Sequence, residues 1–244
     1  MTKMPAMKST LSIPTNIGKR IRSYFRVLIA IVWKDLAAEM RSRELIGAMF
    51  IFALIVVLIF NFALELDLRT KGTITAGVLW VTFTFAGTLG LNRSMSMEKD
   101  RGCLEGLLLA PVDRSAIYFG KVLGNLIFML IVEAIMLPLY SILYNTDLFQ
   151  PNLVLVILLG SIGYTVVGTL LSSMAVQART RDILLPILLF PVVLPILISA
   201  VKASAGILQG FEWAEILPWI NMLIAYNVIF IAVAFMVFDF VVEE

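Results

Sequence analysis

Long apolar runs alternate with short charged intervals along the chain, and this alternation predicts transmembrane helices. Each apolar run approaches or exceeds the ~20 residues that a helix needs to cross a bilayer. The predicted spans are residues 45–64, 74–91, 116–144, 153–176, 183–201 and 216–238. We therefore predict an all-α membrane protein with six transmembrane helices, folded as a single transmembrane domain over residues 21–244.

The stretch before the first span, residues 21–43, has a different pattern. Apolar residues recur there at helical spacing: Ile21, Phe25, Leu28, Val32, Leu36 and Met40. Charged residues fill most other positions, and the wholly apolar part, residues 27–33, is too short to span. This pattern predicts an interfacial "elbow" helix lying along the membrane. Residues 1–20 are polar, lack the apolar core of a signal peptide and are predicted to form a mobile extension.

The charged interval between the second and third spans, residues 92–121, contains a short amphipathic pattern of its own. Its apolar positions fall on one helical face: Leu104, Leu107 and Leu108. Glu105 follows Arg101 by one helical turn, which allows a weak i,i+4 ion pair, and Pro111 ends the run. The pattern fits a docking helix held at the bilayer face, and it also fits an ordinary solvated loop.

Basic residues are distributed very unevenly among the intervals, and this predicts the orientation. Nearly all of the 19 Lys and Arg residues lie before the first span, between the second and third, or between the fourth and fifth. The opposite side has only Arg69, Lys71 and Lys202. The positive-inside rule then places both termini and the interval 92–121 in the cytoplasm.

Composition supports a membrane protein and excludes several kinds of chemistry. Mean hydropathy is +0.97 and only 15% of residues are charged, against roughly 25% in soluble domains. The single cysteine, Cys103, excludes an internal disulfide, and the absence of histidine excludes His-dependent triads and His-ligated zinc or haem. No phosphate-binding P-loop motif and no nucleic-acid-binding signature occurs. Energy for any transport would therefore come from a partner.

Two intramembrane features stand out. Glu133 lies in the middle of the third span, where a carboxyl group usually faces the bundle interior or a wet cavity. It fits a coupling residue, and equally a protonated side chain hydrogen-bonded to a neighbouring helix. No second catalytic group is recognisable beside it, so we predict no catalytic residue and no metal site. In the fifth span, Pro186, Pro191 and Pro195 lack backbone N–H groups and predict a kinked helix.

Three stretches carry a resemblance to a known family. They are WKDLAAEMRSRE at 33–44, RGCLEGLLLAPVDRSAIYFGKVLGN at 101–125 and RDILLPILLFPVVLPILISAV at 181–201. The chain resembles ABC-2 type permeases and, more narrowly, the haem exporter protein B family of cytochrome c maturation. The cytoplasmic loop of such permeases has an acidic–basic–Gly–x–Leu–Glu–x–Leu–Leu pattern. It is matched here by Asp100, Arg101, Gly102, Leu104, Glu105, Leu107 and Leu108.

The resemblance implies the ABC-2 type permease fold, with a cytoplasmic coupling helix formed by those seven residues together with Glu98. It implies a bacterial inner-membrane subunit that works with a separate cytoplasmic ATPase, which holds the ATP. A haem-handling membrane subunit, a small single-span subunit, a second copy of this chain and membrane lipid are the other implied partners. The complex would release a haem-loaded chaperone outside the cytoplasmic membrane. No cofactor site is expected in this chain alone, since haem ligation would have to use Met, Tyr or Cys103.

Two other functions fit the same sequence. A general ABC-2 exporter permease for a lipid, drug or polysaccharide would form a partner-independent dimer with a substrate-sized cavity between its protomers. A non-transporting scaffold would only anchor the ATPase. Charge reversal at Glu105 is expected to separate these hypotheses.

Overall fold

The computed structural model describes residues 17–64, 71–100, 106, 112–175 and 180–241, and within these ranges the chain is built from long α-helices. The helices are α1 (Ile17–Ser42), α2 (Glu44–Ala63), α3 (Lys71–Asp100), α4 (Arg114–Leu143), α5 (Pro151–Ala175), α6 (Arg181–Gln209) and α7 (Trp213–Val241). Each helix from α2 to α7 is long and apolar enough to cross a membrane. The prediction of an all-α protein with six transmembrane helices is therefore confirmed.

Two of the spans, α3 and α5, form the centre of the bundle. In their most apolar windows 72% of residues are buried, against 22–33% in the other four spans. α3 packs against α2, α4, α5 and α6, and α5 also contacts α4, α6 and α7. Close approach depends on glycine: a Cβ at Gly160 of α5 would lie 2.1 Å from the Trp80 ring of α3. Small residues let transmembrane backbones pack closely in this way.

α1 packs along α4 and, near its end, against α2. It begins at Ile17, so part of the segment predicted as an extension is already helical, while residues 1–16 lie outside the described residues. Large apolar side chains remain exposed along one stripe: Phe25, Ile29, Trp33 and Met40. This stripe is what an interfacial helix would present to lipid, and the membrane-parallel orientation of α1 stays a prediction.

Two spans extend beyond the ends predicted from hydropathy. α3 continues past residue 91 to Asp100, so Glu98 lies in a helix and not in a loop. α6 continues to Gln209, and only residues 210–212 separate it from α7. Residues 202–209, which lie beyond the predicted fifth span, are therefore helical. Hydropathy falls at polar residues, but backbone hydrogen bonding continues until Gly210 adopts φ 73° and ends the helix.

The prolines of the fifth span lie inside α6, which stays helical through Pro186, Pro191 and Pro195. Their effect on the direction of the helix axis stays a prediction.

At one end of the bundle, the Gln209 side chain donates a hydrogen bond to Thr73 Oγ1 at 2.6 Å and joins the end of α6 to the start of α3. At the other end, α1, the start of α2, the end of α3 and the start of α4 converge.

Candidate functional site

Four charged side chains from three helices meet where α1, α3 and α4 converge. α1 contributes Lys34 and Asp35, the last turns of α3 contribute Glu98, and the second turn of α4 contributes Lys121. Lys34 Nζ lies 2.5 Å from Glu98 Oε1 and 3.2 Å from Asp35 Oδ1. Lys121 Nζ lies 2.8 Å from Asp35 Oδ2 and also pairs with Glu98. We call these four residues the charge quartet.

The quartet is electrically balanced and largely shielded from solvent. The side chains of Lys121, Glu98 and Asp35 are only 5%, 10% and 11% exposed, whereas Lys34 is 41% exposed. Burying charges is costly unless each has a partner, and here two ammonium groups face two carboxylates. Burial by itself lowers the pKa of the Lys34 ammonium, but the charges of Glu98 and Asp35 raise it overall. Lys34 therefore stays protonated.

Lys121 lies near the start of the predicted third span, where a lysine side chain can reach out to the membrane interface. In the structure the residue is 4% exposed and its charge is neutralised inside the protein. The burial of Lys121 depends on tertiary contacts, because the carboxylates that pair with it come from α1 and α3.

Glu39, one turn after Asp35 on α1, fixes the junction between α1 and α2. Its Oε1 accepts hydrogen bonds from the amides of Leu45 and Ile46 at 3.0 and 2.9 Å. These amides belong to the first turn of α2, where no backbone acceptor exists. Between the helices Arg43 takes a left-handed conformation, with φ 54°. This cap was not predicted from the sequence, although an acidic residue one turn before the helix break was a signal for it.

A small cavity of about 140 Å³ borders the quartet, Glu39 and Ser94. A single water needs about 10–15 Å³, so the cavity has room for several. Within the described residues, Glu98 Oε2 is buried and has no hydrogen-bond partner. The quartet therefore lies beside a cavity with room for water at the end of the bundle.

The residues predicted to form the coupling helix are only partly described. Glu98 belongs to the quartet, and Asp100 is the last residue of α3. The others lie outside the described residues: Arg101, Gly102, Leu104, Glu105, Leu107 and Leu108. Their role in coupling stays a prediction. The two sides of the quartet, Glu98 before this segment and Lys121 after it, lie close together across the ends of α3 and α4.

Glu133 is 2% exposed in the middle of α4, and its partner comes from α5. Ser161 donates a hydrogen bond to Glu133 Oε1 at 2.6 Å. Two turns away, Asn125 of α4 donates to Thr169 of α5 at 3.0 Å. This is the geometry expected of a side chain hydrogen-bonded to a neighbouring helix, and a coupling role for Glu133 stays a prediction. The sequence offered no way to choose Ser161 among the polar residues of the other spans.

The described residues contain no group of three or more Cys, Asp or Glu side chains that could hold a metal ion, and the sequence has no histidine. The quartet has a mechanical effect, because its ion pairs hold segments of α1, α3 and α4 together at one end of the bundle. A displacement of the end of α3 relative to α4 would have to break or carry along buried ion pairs.

Comparison with known proteins adds the family relationship. The sequence model of the family described as "CcmB protein" matches residues 26–243. The chain is 26% identical over 186 residues to "Heme exporter protein B" of Pseudomonas aeruginosa, covering 76% of this chain and 83% of the relative. It is 28% identical over 172 residues to the protein of the same name from Rhodobacter capsulatus, covering 69% and 78%. The Bradyrhizobium diazoefficiens protein of that name is 25% identical over 186 residues, covering 75% and 83%.

Proposed function

The chain belongs to the CcmB protein family, and on that premise we propose that it is the permease subunit of an ABC-type complex for haem export and cytochrome c maturation. It lies in the bacterial cytoplasmic membrane as a multi-pass protein and has no nucleotide site of its own. A separate cytoplasmic ATPase binds the segment at residues 101–111, and nucleotide-driven closure of that ATPase moves the helices attached to it. The names of the relatives and the six spans support this assignment.

The charge quartet carries the mechanical part of the proposal. Glu98 lies just before the proposed ATPase-binding segment and Lys121 lies after it, so a push on the segment reaches the ends of both α3 and α4. Lys34 and Asp35 attach α1 to the same point. Separating a buried ion pair costs about 3–5 kcal/mol when one charge is left unpaired, so the three helix ends move together. α3 then passes the movement to α6 and α5, against which it packs.

Haem enters the proposal as the cargo of the complex and not as a group held by this chain. The chain has no histidine, and its one cysteine lies in the predicted cytoplasmic segment. We propose that a haem-handling membrane subunit and a small single-span subunit complete the complex, with a second copy of this chain. ATP hydrolysis then releases a haem-loaded chaperone outside the membrane for attachment of haem to c-type apocytochromes.

Charge reversal at Glu105 tests ATPase binding. In cells that depend on this chain, Glu105→Lys is expected to abolish co-purification of the ATPase and the formation of c-type cytochromes, measured by haem staining. Glu212→Lys is the matched control, since Glu212 is exposed at the opposite end of the bundle. Normal ATPase recruitment and normal cytochromes in Glu105→Lys would refute the proposal.

Glu98→Gln distinguishes a subunit that transmits the movement of the ATPase from a scaffold that only anchors it. We expect this variant to retain the ATPase and to lose c-type cytochromes, because binding survives while the link to α1 and α4 weakens. If the chain were a scaffold that only anchors the ATPase, the variant would still form c-type cytochromes.

Mass spectrometry of the subunits that co-purify in mild detergent distinguishes the haem export complex from a general exporter. A general exporter would yield only a second copy and an ATPase, with no haem-handling membrane protein.

A further inference from the structure

An apolar groove of about 490 Å³ lies between the end of α1, the first turns of α2 and the middle of α4. Its volume falls in the ~300–1,000 Å³ range of small-molecule sites. The walls are almost wholly hydrophobic: Leu36 of α1, Ile46 and Phe50 of α2, and Ile131 and Ile135 of α4. None of the four residues of the charge quartet lines the groove.

Gly47 lines the groove and has no side chain to fill it. A Cβ built on Gly47 of α2 would meet no atom within 4 Å, although neighbouring turns of α2 are packed. The groove also opens sideways onto the apolar surface, because Met40 and Ile135 at its edges are 67% and 48% exposed. A flexible hydrocarbon chain in the bilayer can therefore enter laterally without crossing a polar barrier.

The mouth of the groove carries a positive charge. Arg43 lines it, is exposed, and lies at the break between α1 and α2. Two carboxylates near Arg43 are already engaged: Glu39, which also lines the groove, caps α2, and Glu44 pairs with Arg93 at 2.6 Å. In the described part of the chain no carboxylate pairs with Arg43. A planar guanidinium binds phosphate or carboxylate oxygens through two parallel hydrogen bonds, which favours a lipid with an anionic head over an uncharged one.

We propose that this groove binds one anionic glycerophospholipid, with an acyl chain along Gly47 and Phe50 and the phosphate at Arg43. An apolar groove lined by one exposed cation matches a molecule with a hydrocarbon tail and an anionic head. The basic end of the bundle faces the leaflet that the positive-inside rule predicts to be cytoplasmic, where anionic lipids attract juxtamembrane Arg and Lys.

The test is native mass spectrometry of the full chain, purified in mild detergent and titrated separately with phosphatidylglycerol and phosphatidylcholine of identical acyl chains. We expect one phosphatidylglycerol per chain, held about tenfold more tightly than phosphatidylcholine, as one charge-assisted interaction would give. Arg43→Asn removes the cation and suits the left-handed backbone, since Asn tolerates positive φ. Arg43→Asn is expected to abolish the preference for phosphatidylglycerol. Arg41→Asn is the control, because Arg41 is also exposed but does not line the groove, and it is expected to keep the preference.

Gly47→Leu fills the groove from its own floor and is expected to remove the bound lipid of either kind. Gly77→Leu is the matched control, because Gly77 on α3 also has open space around it. Should Gly47→Leu fail to fold, Arg43→Asn still decides the headgroup assignment. The proposal is overturned if Gly47→Leu retains as much phosphatidylglycerol as Gly77→Leu, or if Arg43→Asn keeps the wild-type preference. It is also overturned if the spectra show a dimer of this chain, free of lipid, that Gly47→Leu dissociates.

Discussion

Replacing Lys121 by methionine should destabilise the protein by about 3–5 kcal/mol, the usual result of removing one partner from a buried ion pair. Methionine keeps the length and apolar volume of the side chain, so the change removes charge with little loss of packing. Lys121 is 5% exposed and contacts both Asp35 and Glu98, whose side chains are 11% and 10% exposed. The variant therefore leaves two shielded carboxylates with Lys34 as their only cation in the quartet.

Lys34→Met provides the matched comparison. It removes the same functional group from the same two carboxylates, but Lys34 is 41% exposed. Solvent screens a pair of that kind, and the expected loss is only about 0–1 kcal/mol. The measurement is SDS-induced unfolding of each variant in mixed micelles, followed by tryptophan fluorescence. The free energy of unfolding should fall several-fold more for Lys121→Met than for Lys34→Met.

Equal losses for the two variants, or a greater loss for Lys34→Met, would contradict the assignment of Lys121 as the buried centre of the quartet. Adding Glu98→Gln to Lys121→Met gives a second criterion. Removing the negative charge that Lys121 neutralised should recover part of the lost stability, because the two residues interact directly. Simple addition of the two single-variant losses would show that they do not.

Three further predictions concern the helix junction, the membrane interior and the centre of the bundle. Glu39→Ala should cost about 2 kcal/mol in the same SDS unfolding assay, because two amides of α2 lose their acceptor. Little change in stability would contradict the capping role. Glu133→Gln keeps an acceptor for the hydroxyl group on α5 and should leave both stability and the yield of c-type cytochromes unchanged. Loss of cytochromes from a stable Glu133→Gln protein would instead assign function to the carboxyl group itself. Gly160→Ala should destabilise by about 1–3 kcal/mol, since its methyl group would overlap Trp80. Gly77→Ala, with open space at its Cβ, is the control and should be nearly neutral.

Hydropathy predicted the existence of every span but not where two of them end. The charged residues after residue 91 lower hydropathy without interrupting the backbone hydrogen bonds of α3, so the helix carries Glu98 to the quartet. In the same way α6 passes Lys202, whose side chain is exposed, and stops only at Gly210. Polar residues mark where a helix leaves hydrocarbon, whereas helix ends depend on local backbone geometry.

In the candidate site, too, a local motif could be recognised from the sequence, whereas its contacts with distant residues could not. The stretch at 33–44 is recognisable as a motif, but its residues have three different structural roles. Lys34 and Asp35 join α3 and α4, Glu39 caps α2, and Arg43 lines an apolar groove. Spacing along the chain gave no hint of this, since the partners of Lys34 and Asp35 lie 64 and 86 residues away.

The sequence alone determined that the chain is helical, that it has six spans and that it resembles the haem exporter protein B family. These properties follow from local chemistry, because bilayer thickness fixes how long an apolar run must be and a family motif is read residue by residue. Only the tertiary structure decided that Lys121 is buried against Asp35 and Glu98, that Ser161 faces Glu133, and that the space at the Gly47 Cβ is left unfilled. Each of these depends on how neighbouring helices are rotated and staggered, and that arrangement is set by packing between residues far apart in the chain.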